Sequence, residues 1–110
     1  MTDPIRPQKC AEKLHALAAP ERLRILSFLR GGPRNVTELA DMLLTTVVNV
    51  SHHVTVLRQA GLIGRRKVGR FVYYSLAPGL LQRDEGNDAA DFFDLGCCRL
   101  EVPREPAGGK

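Results

Sequence analysis

Three cysteines, Cys10 and the adjacent pair Cys97 and Cys98, are the residues of this 110-residue chain best suited to bind a ligand or change oxidation state. Thiolates select thiophilic species such as arsenite, antimonite, Cu(I) and Cd(II) over Mg and Ca. Three thiolates suit a pyramidal arsenite site, and Gly96 eases a backbone turn that lets neighbouring cysteines supply two of them. We therefore predict Cys97, Cys98 and Cys10 as metal or metalloid ligands, with no cofactor required.

The cysteines also have other interpretations. An odd number with two adjacent is no disulfide framework of a secreted mini-domain, so we expect thiols in a reducing cytosol. If residues 95–102 form a strand, Cys97 and Cys98 point to opposite faces, and one is simply a small core residue. Reversible oxidation, persulfidation included, is a second form of sensing. The sequence neighbours are mostly acidic, apart from Arg99, which slightly favours ligation over redox reactivity.

Charge supplies the second chemical signal. The net charge of +4 is an average over a basic part and an acidic part. Residues 1–83 carry thirteen Lys and Arg against five Asp and Glu, a net +8, whereas residues 84–110 carry three against seven, a net −4. A basic body favours a polyanionic partner such as double-stranded DNA. We interpret the acidic end as a solvated or dimer-covering segment, or as a competitor of phosphate for the basic body.

Apolar spacing predicts four helices that position these groups. The first covers residues 8–18, the second begins at Pro20 and ends before residues 31–33 (GGP), and the third begins near Val36. The fourth covers residues 46–60, with Thr46 as N-cap and Gly61 at the C-cap position. Within it, a core stripe at 50, 54 and 57 includes His53, for which we expect a satisfied hydrogen bond rather than a ligand role.

The period then changes from 3.6 to 2, which predicts a β-hairpin from residues 62–66 and 70–76, with a turn at 67–69. Residues 78–83 are predicted to open a fifth helix, residues 89–102 fit helix, strand or both, and the chain beyond Pro103 is expected to be loose. We divide the chain into an N-terminal arm (1–8), a DNA-binding domain (9–83) and an acidic, cysteine-containing tail (84–110), the tail being a candidate dimer or sensor segment. The fold class is mainly α with a small β-hairpin wing, in the order of a winged helix-turn-helix.

This order suits DNA, because the fourth helix fits a major groove and a hairpin tipped with cations reaches the flanking phosphates. His52 is the better groove candidate of the two adjacent histidines, which do not form a metal pair because neighbouring helical residues point about 100° apart. The residues predicted to contact DNA are Thr46, Val47, Asn49, Ser51, His52, Thr55 and Arg58 on the helix and Arg65, Arg66, Lys67 and Arg70 on the hairpin.

Four segments resemble the ArsR family of bacterial winged helix-turn-helix transcriptional repressors. Residues 17–26 (LAAPERLRIL) resemble the family's second helix, 36–40 (VTELA) and 50–62 (VSHHVTVLRQAGL) its recognition unit, and 69–76 (GRFVYYSL) its wing. The resemblance covers roughly residues 9–80. It implies a homodimer, joined through the first helix and the C-terminal region, that binds a pseudo-palindromic operator and releases it when an effector binds. The chain departs from the family at residues 43–45 (LLT), where the family usually has Gly in the turn.

The resemblance also implies where an effector does not bind. One metalloid site of the family places cysteines in the third helix, where this chain has residues 35–39 (NVTEL). Another uses His and carboxylate ligands for zinc on paired fifth helices, but all three histidines of this chain lie upstream. Some members carry adjacent terminal cysteines as metalloid ligands. In such a dimer, Cys10 of one subunit would meet Cys97 and Cys98 of the other.

Two rival classes remain. A winged-helix module for protein contact would keep its binding after the hairpin cations are neutralised. An enzyme is disfavoured, because the sequence has no Gly-rich phosphate loop, no paired carboxylates and no nucleophile–base set that spacing supports. The chain shows neither a signal-peptide pattern nor an apolar run of about 18 residues, so we expect a cytoplasmic protein without a membrane partner.

Overall fold

The computed structural model describes residues 6–86 and 90–104. Its helices are α1 (Pro7–Leu17), α2 (Pro20–Leu29), α3 (Val36–Leu43) and α4 (Val47–Gln59). Its strands are β1 (Ile63–Val68), β2 (Phe71–Leu76), β3 (Leu81–Arg83), β4 (Ala90–Asp94) and β5 (Arg99–Pro103). The four helices and the hairpin lie where the sequence predicts them. None of the described helices has the length and apolarity needed to cross a membrane.

Short-range signals set the helix starts. Pro20 occupies the first turn of α2, with Glu21 beside it to favour the helix dipole. Asn35 caps α3 in a capping box, because its side chain accepts from the Glu38 amide while the Glu38 carboxylate accepts from the Asn35 amide, each at 2.9 Å. The predicted cap of α4 is confirmed, since Thr46 Oγ1 accepts the Asn49 amide at 3.1 Å.

The turn between α3 and α4 contains no glycine, and a leucine adopts the left-handed conformation there. Leu44 adopts the left-handed conformation, with φ 57° and ψ 47°. Its side chain is 91% exposed, so burial of the side chain does not stabilise this conformation. The Leu44 amide donates to Asp41 O at 3.3 Å and the Thr45 amide to Ala40 O at 3.0 Å, which closes α3.

The hairpin wing turns through two residues. Val68 pairs with Phe71, leaving Gly69 and Arg70 as the turn. Gly69 has φ +63°, the positive value that the first central residue of a type II′ turn requires. The turn therefore lies two residues later than the sequence pattern placed it. A bridge between Arg34 and Tyr74 ties the hairpin base to the segment before α3.

The predicted fifth helix over residues 78–83 is wrong. After a turn in which Gly79 has φ +81°, β3 pairs antiparallel with β4, and β4 with β5. The left-handed glycine interrupts a helix at its start, and the strand pairing then satisfies the backbone of residues 81–83. No helix follows α4 within residues 6–86 and 90–104.

The three-stranded sheet packs onto the same core as the helices. Leu95 is as fully buried as Ile25 and Leu57, and Phe93 joins this cluster. Strand β3 comes from the predicted DNA-binding domain and β4 from the predicted tail, so the two segments share one sheet.

An ion-pair network fixes this sheet to α2. The Asp91 carboxylate accepts from Arg30 Nη2 at 3.2 Å and from Arg104 Nε at 3.0 Å. The side chains of Arg30 and Asp91 are 8% and 14% exposed, so solvent screens their pairing only in part.

Candidate DNA-binding surface and cysteine cluster

The N-terminal half of α4 presents an exposed face of small polar and β-branched residues. Val47 is 42% exposed, and Val48, which was not among the residues predicted to contact DNA, is 81% exposed. Exposed valines suit contact with the methyl group of thymine. Of the other predicted contact residues on the helix, these are exposed: Thr46, Ser51, His52, Thr55 and Arg58.

Three of the predicted helix residues make hydrogen bonds within the protein, and Thr46 does so as the cap of α4. The Asn49 side-chain amide donates to Thr45 Oγ1 at 3.1 Å and is only half-buried. The Thr55 hydroxyl donates to the Ser51 carbonyl at 2.8 Å, which leaves its methyl group facing outward from the turn. This bond uses one of the two amide hydrogens of Asn49 and leaves its side-chain oxygen without a role in the bond.

The hairpin carries a compact group of cations, which we call the basic wing. All four of its residues are exposed: Arg65, Arg66, Lys67 and Arg70. The Arg70 guanidinium lies over the Phe71 ring at 5.6 Å, and Phe71 is itself 47% exposed. This arrangement offers several positive charges to a phosphate backbone at the end of the hairpin.

His53 lies in the core, as predicted, and has its hydrogen bond. Arg22, which is 9% exposed, donates from Nη1 to His53 Nδ1 at 3.2 Å. Burial and the adjacent Arg22 charge lower the pKa of His53 below its ordinary value of 6.5. The ring is therefore neutral and serves as an acceptor for the guanidinium.

The three cysteines meet in one chain. The Sγ atoms of Cys10, Cys97 and Cys98 all lie within 4.8 Å of one another, and we call this group the cysteine cluster. Cys98 Sγ is 3.9 Å from Cys10 Sγ and 3.8 Å from Cys97 Sγ. Gly96 has φ +87°, so the backbone turns before the pair, as expected, and strand β5 begins only at Arg99.

The expectation that all three cysteines are thiols is wrong in this structure. Cys10 and Cys97 form a disulfide across 87 residues of sequence, with their Cα atoms 5.8 Å apart, and only Cys98 is a free thiol. Helix α1 packs beside the β4–β5 turn, which brings Cys10 to Cys97 within one subunit. Lys13 Nζ strengthens this contact by donating to the Leu95 carbonyl at 2.9 Å.

The surroundings of the cluster are basic in space although they are acidic in sequence. A cleft of about 380 Å³ opens beside Cys10 and Cys97, and its wall includes Lys9 and Lys13 of α1 and Arg6, the N-cap residue of that helix. The slight preference for ligation over redox reactivity therefore loses its basis, because Lys9 and Lys13 lie beside Cys97 in space although not along the chain. Helical spacing held the missing signal, since Arg6, Cys10 and Lys13 follow an i, i+4, i+7 pattern.

Comparison with known proteins agrees with this architecture. A sequence profile described as bacterial regulatory protein, arsR family, matches residues 19–64. Over 81 residues the chain is 35% identical to the transcriptional repressor SdpR of Bacillus subtilis, which covers 74% of this chain and 89% of SdpR. It is 47% identical over 66 residues to the transcriptional regulator NmtR of Mycobacterium tuberculosis, which covers 60% of this chain but only 55% of NmtR.

A solved structure supports the same assignment. The homodimeric winged helix-turn-helix DNA-binding domain of Mb0332 from Mycobacterium bovis superposes with a TM-score of 0.64 at 29% identity, covering 70% of this chain and 73% of that one. The four helices and the hairpin of this chain are thus a winged helix-turn-helix. Together with the match to most of SdpR, these similarities show that the chain belongs to the arsR family of bacterial regulatory proteins.

Proposed function

We propose that the protein is a homodimeric transcriptional repressor that binds operator DNA and is released by an effector sensed at the cysteine cluster. The observation that carries the DNA-binding part is the basic wing beside the exposed face of α4. A helix in the major groove and a cationic hairpin on the flanking phosphates form one continuous reading surface. In this proposal Thr46, Val47, Ser51, His52, Thr55 and Arg58 face the bases or the adjacent backbone, and Asn49 joins them.

A homodimer is supported by apolar surface on α1, α2 and the C-terminal sheet. A groove of about 320 Å³ is lined by Leu23 of α2 together with Phe93, Leu100 and Val102 of the C-terminal sheet. Leu23 is 44% exposed, and Leu14 of α1 is 46% exposed. A second copy would cover these side chains, and an operator read by two copies requires their α4 helices to lie about 34–36 Å apart, one turn of DNA.

Thiophilic metal or metalloid binding is the first candidate for the signal. Once the disulfide is reduced, three sulfur atoms already grouped within 4.8 Å need little rearrangement to ligate one ion. Soft ligands of this kind suit arsenite, antimonite, Cu(I) or Cd(II). Ligation would draw α1 and the β4–β5 turn toward a common centre.

Thiol redox sensing is the second candidate, and the Cys10–Cys97 disulfide specifically favours it. Oxidation would lock α1 to the C-terminal sheet, and reduction would free it. Both candidates therefore act on the same contact between α1 and the β4–β5 turn.

Operator binding by the purified dimer tests the proposal. A duplex selected from a random pool is titrated with reduced protein, alone and with arsenite, Cd(II) or Cu(I), and with the oxidised protein. We expect binding that weakens with salt and an affinity loss of at least tenfold with one of these treatments. Failure to select any duplex would refute DNA binding.

Cysteine variants separate the two forms of sensing. Cys98→Ser keeps the disulfide but removes the third ligand, so it should weaken the metal response and preserve the redox response. Cys10→Ser should abolish the redox response. A response that survives in Cys97→Ser/Cys98→Ser would refute sensing at the cysteine cluster.

A further inference from the structure

We propose that the cleft lined by Arg6, Lys9 and Lys13 is a binding site for an anionic low-molecular-weight thiol, which opens the Cys10–Cys97 disulfide by thiol–disulfide exchange. The inference deepens the proposed function by naming the ligand class of its cysteine site, and it rests on that function only for the link to DNA. We call this site the cationic cleft.

The charge of the cleft identifies the ligand class. Three cationic side chains and no Asp or Glu lie among its described lining residues, Arg6, Lys9, Cys10, Lys13, Leu95, Gly96 and Cys97. Such a wall attracts carboxylates and thiolates, which carry the opposite charge. The volume of about 380 Å³ is within the range of small-molecule sites.

The position of the sulfur atoms identifies the reaction. Both cysteines of the disulfide line the cleft, but Cys10 is only 7% exposed, whereas Cys97 is half-buried. Cys97 Sγ is therefore the accessible sulfur for an incoming thiolate. Cys98 does not line the cleft.

The exchange balances without a further reagent. The ligand thiolate attacks Cys97 Sγ, a new S–S bond forms between ligand and Cys97, and the Cys10–Cys97 bond breaks. Cys10 leaves with the electron pair as a thiolate, which takes a proton from water. A second ligand thiolate then attacks the ligand sulfur of the mixed disulfide and releases the ligand disulfide and the Cys97 thiolate. Two ligand thiols are oxidised and one protein disulfide is reduced.

The cleft favours both the attack by the ligand thiolate and the departure of the Cys10 thiolate. The cations concentrate the attacking anion, and they stabilise the thiolate that leaves at Cys10. Cys10 also lies in the first turn of α1, where its amide donates to the Arg6 carbonyl at 3.1 Å. A negative charge there interacts favourably with the helix dipole.

Competing thiols of different charge provide the test. The oxidised full-length protein is treated under anaerobic conditions with reduced glutathione (net negative), 2-mercaptoethanol (neutral) or cysteamine (positive). Mass spectrometry after acid quenching follows the mixed disulfide and the reduced protein. Each rate constant is divided by that of the same thiol with hydroxyethyl disulfide, which cancels the intrinsic reactivity of the thiol.

We expect the normalised rate for glutathione to exceed that for 2-mercaptoethanol by about tenfold, with cysteamine slowest, and the preference to shrink as salt is raised. Arg6→Gln/Lys9→Gln should bring the three rates together. Arg24→Gln/Arg83→Gln removes the same charge from exposed positions outside the cleft and the wing, and should keep the preference.

Equal normalised rates in the unsubstituted protein, or a preference that survives in Arg6→Gln/Lys9→Gln, would overturn the inference. So would an aerobically purified protein without the Cys10–Cys97 disulfide. The salt dependence decides the matter if the cleft variant fails to fold. Fast, glutathione-selective opening with unchanged operator binding would keep the cleft as a thiol site and reject redox sensing.

Discussion

Replacing Leu44 with glycine should stabilise the protein. Leu44 is the only residue between α3 and α4 with a positive φ among those described, and it adopts this conformation without burial of its side chain. A non-glycine residue in the left-handed region costs roughly 1–2 kcal/mol, because Cβ approaches the following carbonyl. The loss of a side chain that is 91% exposed removes almost no buried area.

The opposing cost lies in the unfolded chain. Glycine loses more backbone entropy on folding than leucine does, which lowers the free energy of unfolding by about 0.5–1 kcal/mol. The net gain for Leu44→Gly is therefore about 0.5–1 kcal/mol. A gain of that size raises the Tm of a domain of about 100 residues by about 2–8 °C.

Urea and thermal unfolding of the reduced protein measure this gain, with the m-value as a check that the unfolded state keeps its compactness. Leu44→Ala is the matched control: it shortens the side chain but keeps Cβ, so its stability should stay within about 0.5 kcal/mol of the original. A Leu44→Gly variant that is no more stable than Leu44→Ala would refute the assignment of strain to this turn.

Three further predictions follow from charge and protonation. Arg66→Gln should reduce the slope of the logarithm of the DNA-binding constant against log salt by about 2 per dimer, since each lost phosphate contact contributes about 0.9. Arg83→Gln, which lies outside the basic wing, should leave the slope unchanged, and filter binding at several salt concentrations measures both. Asp91→Asn should lower the free energy of unfolding by about 2 kcal/mol, because two arginines lose a partly buried carboxylate, and urea denaturation checks this. Burial and Arg22 lower the pKa of His53 in the folded chain, so below pH 6.5, the ordinary pKa of histidine, the unfolded chain binds a proton that the folded chain does not. The free energy of unfolding should therefore fall as pH drops below 6.5. In urea titrations across that range, His53→Gln should flatten this dependence.

The helical part of the fold could be predicted because its signals are local. The Thr46 cap, Pro20 at the start of α2 and the stripe through Val50, Val54 and Leu57 all act within a few residues. These same elements place the DNA-contact candidates, whose contact with DNA stays a prediction. Val48 was not among these candidates although it lies on the same face.

The C-terminal sheet and the disulfide could not be predicted because their partners are distant. Phe92 and Phe93 fit either a helix or a strand until the pairing of β4 with β3 and β5 decides between them. Cys10 and Cys97 are 87 residues apart, and only the packing of α1 on the β4–β5 turn joins them. The same packing puts the cations of α1 beside a cysteine pair whose sequence neighbours are acidic.

The cysteine cluster is connected to helix α4 through α1 and the buried side chain of Arg22. Helix α1 carries Cys10 near its start, and its final carbonyls, on His15 and Ala16, accept from Arg22 at 3.4 Å and 2.6 Å. The third bond of that guanidinium goes to His53, in the middle of α4. Because Arg22 is only 9% exposed, water cannot replace a bond that it loses, so a shift of α1 must either carry Arg22 along or leave a buried donor unpaired. Either outcome changes the support beneath α4, so under the proposed function an effector at the cluster would alter DNA affinity to the extent that it binds one of these two arrangements more tightly.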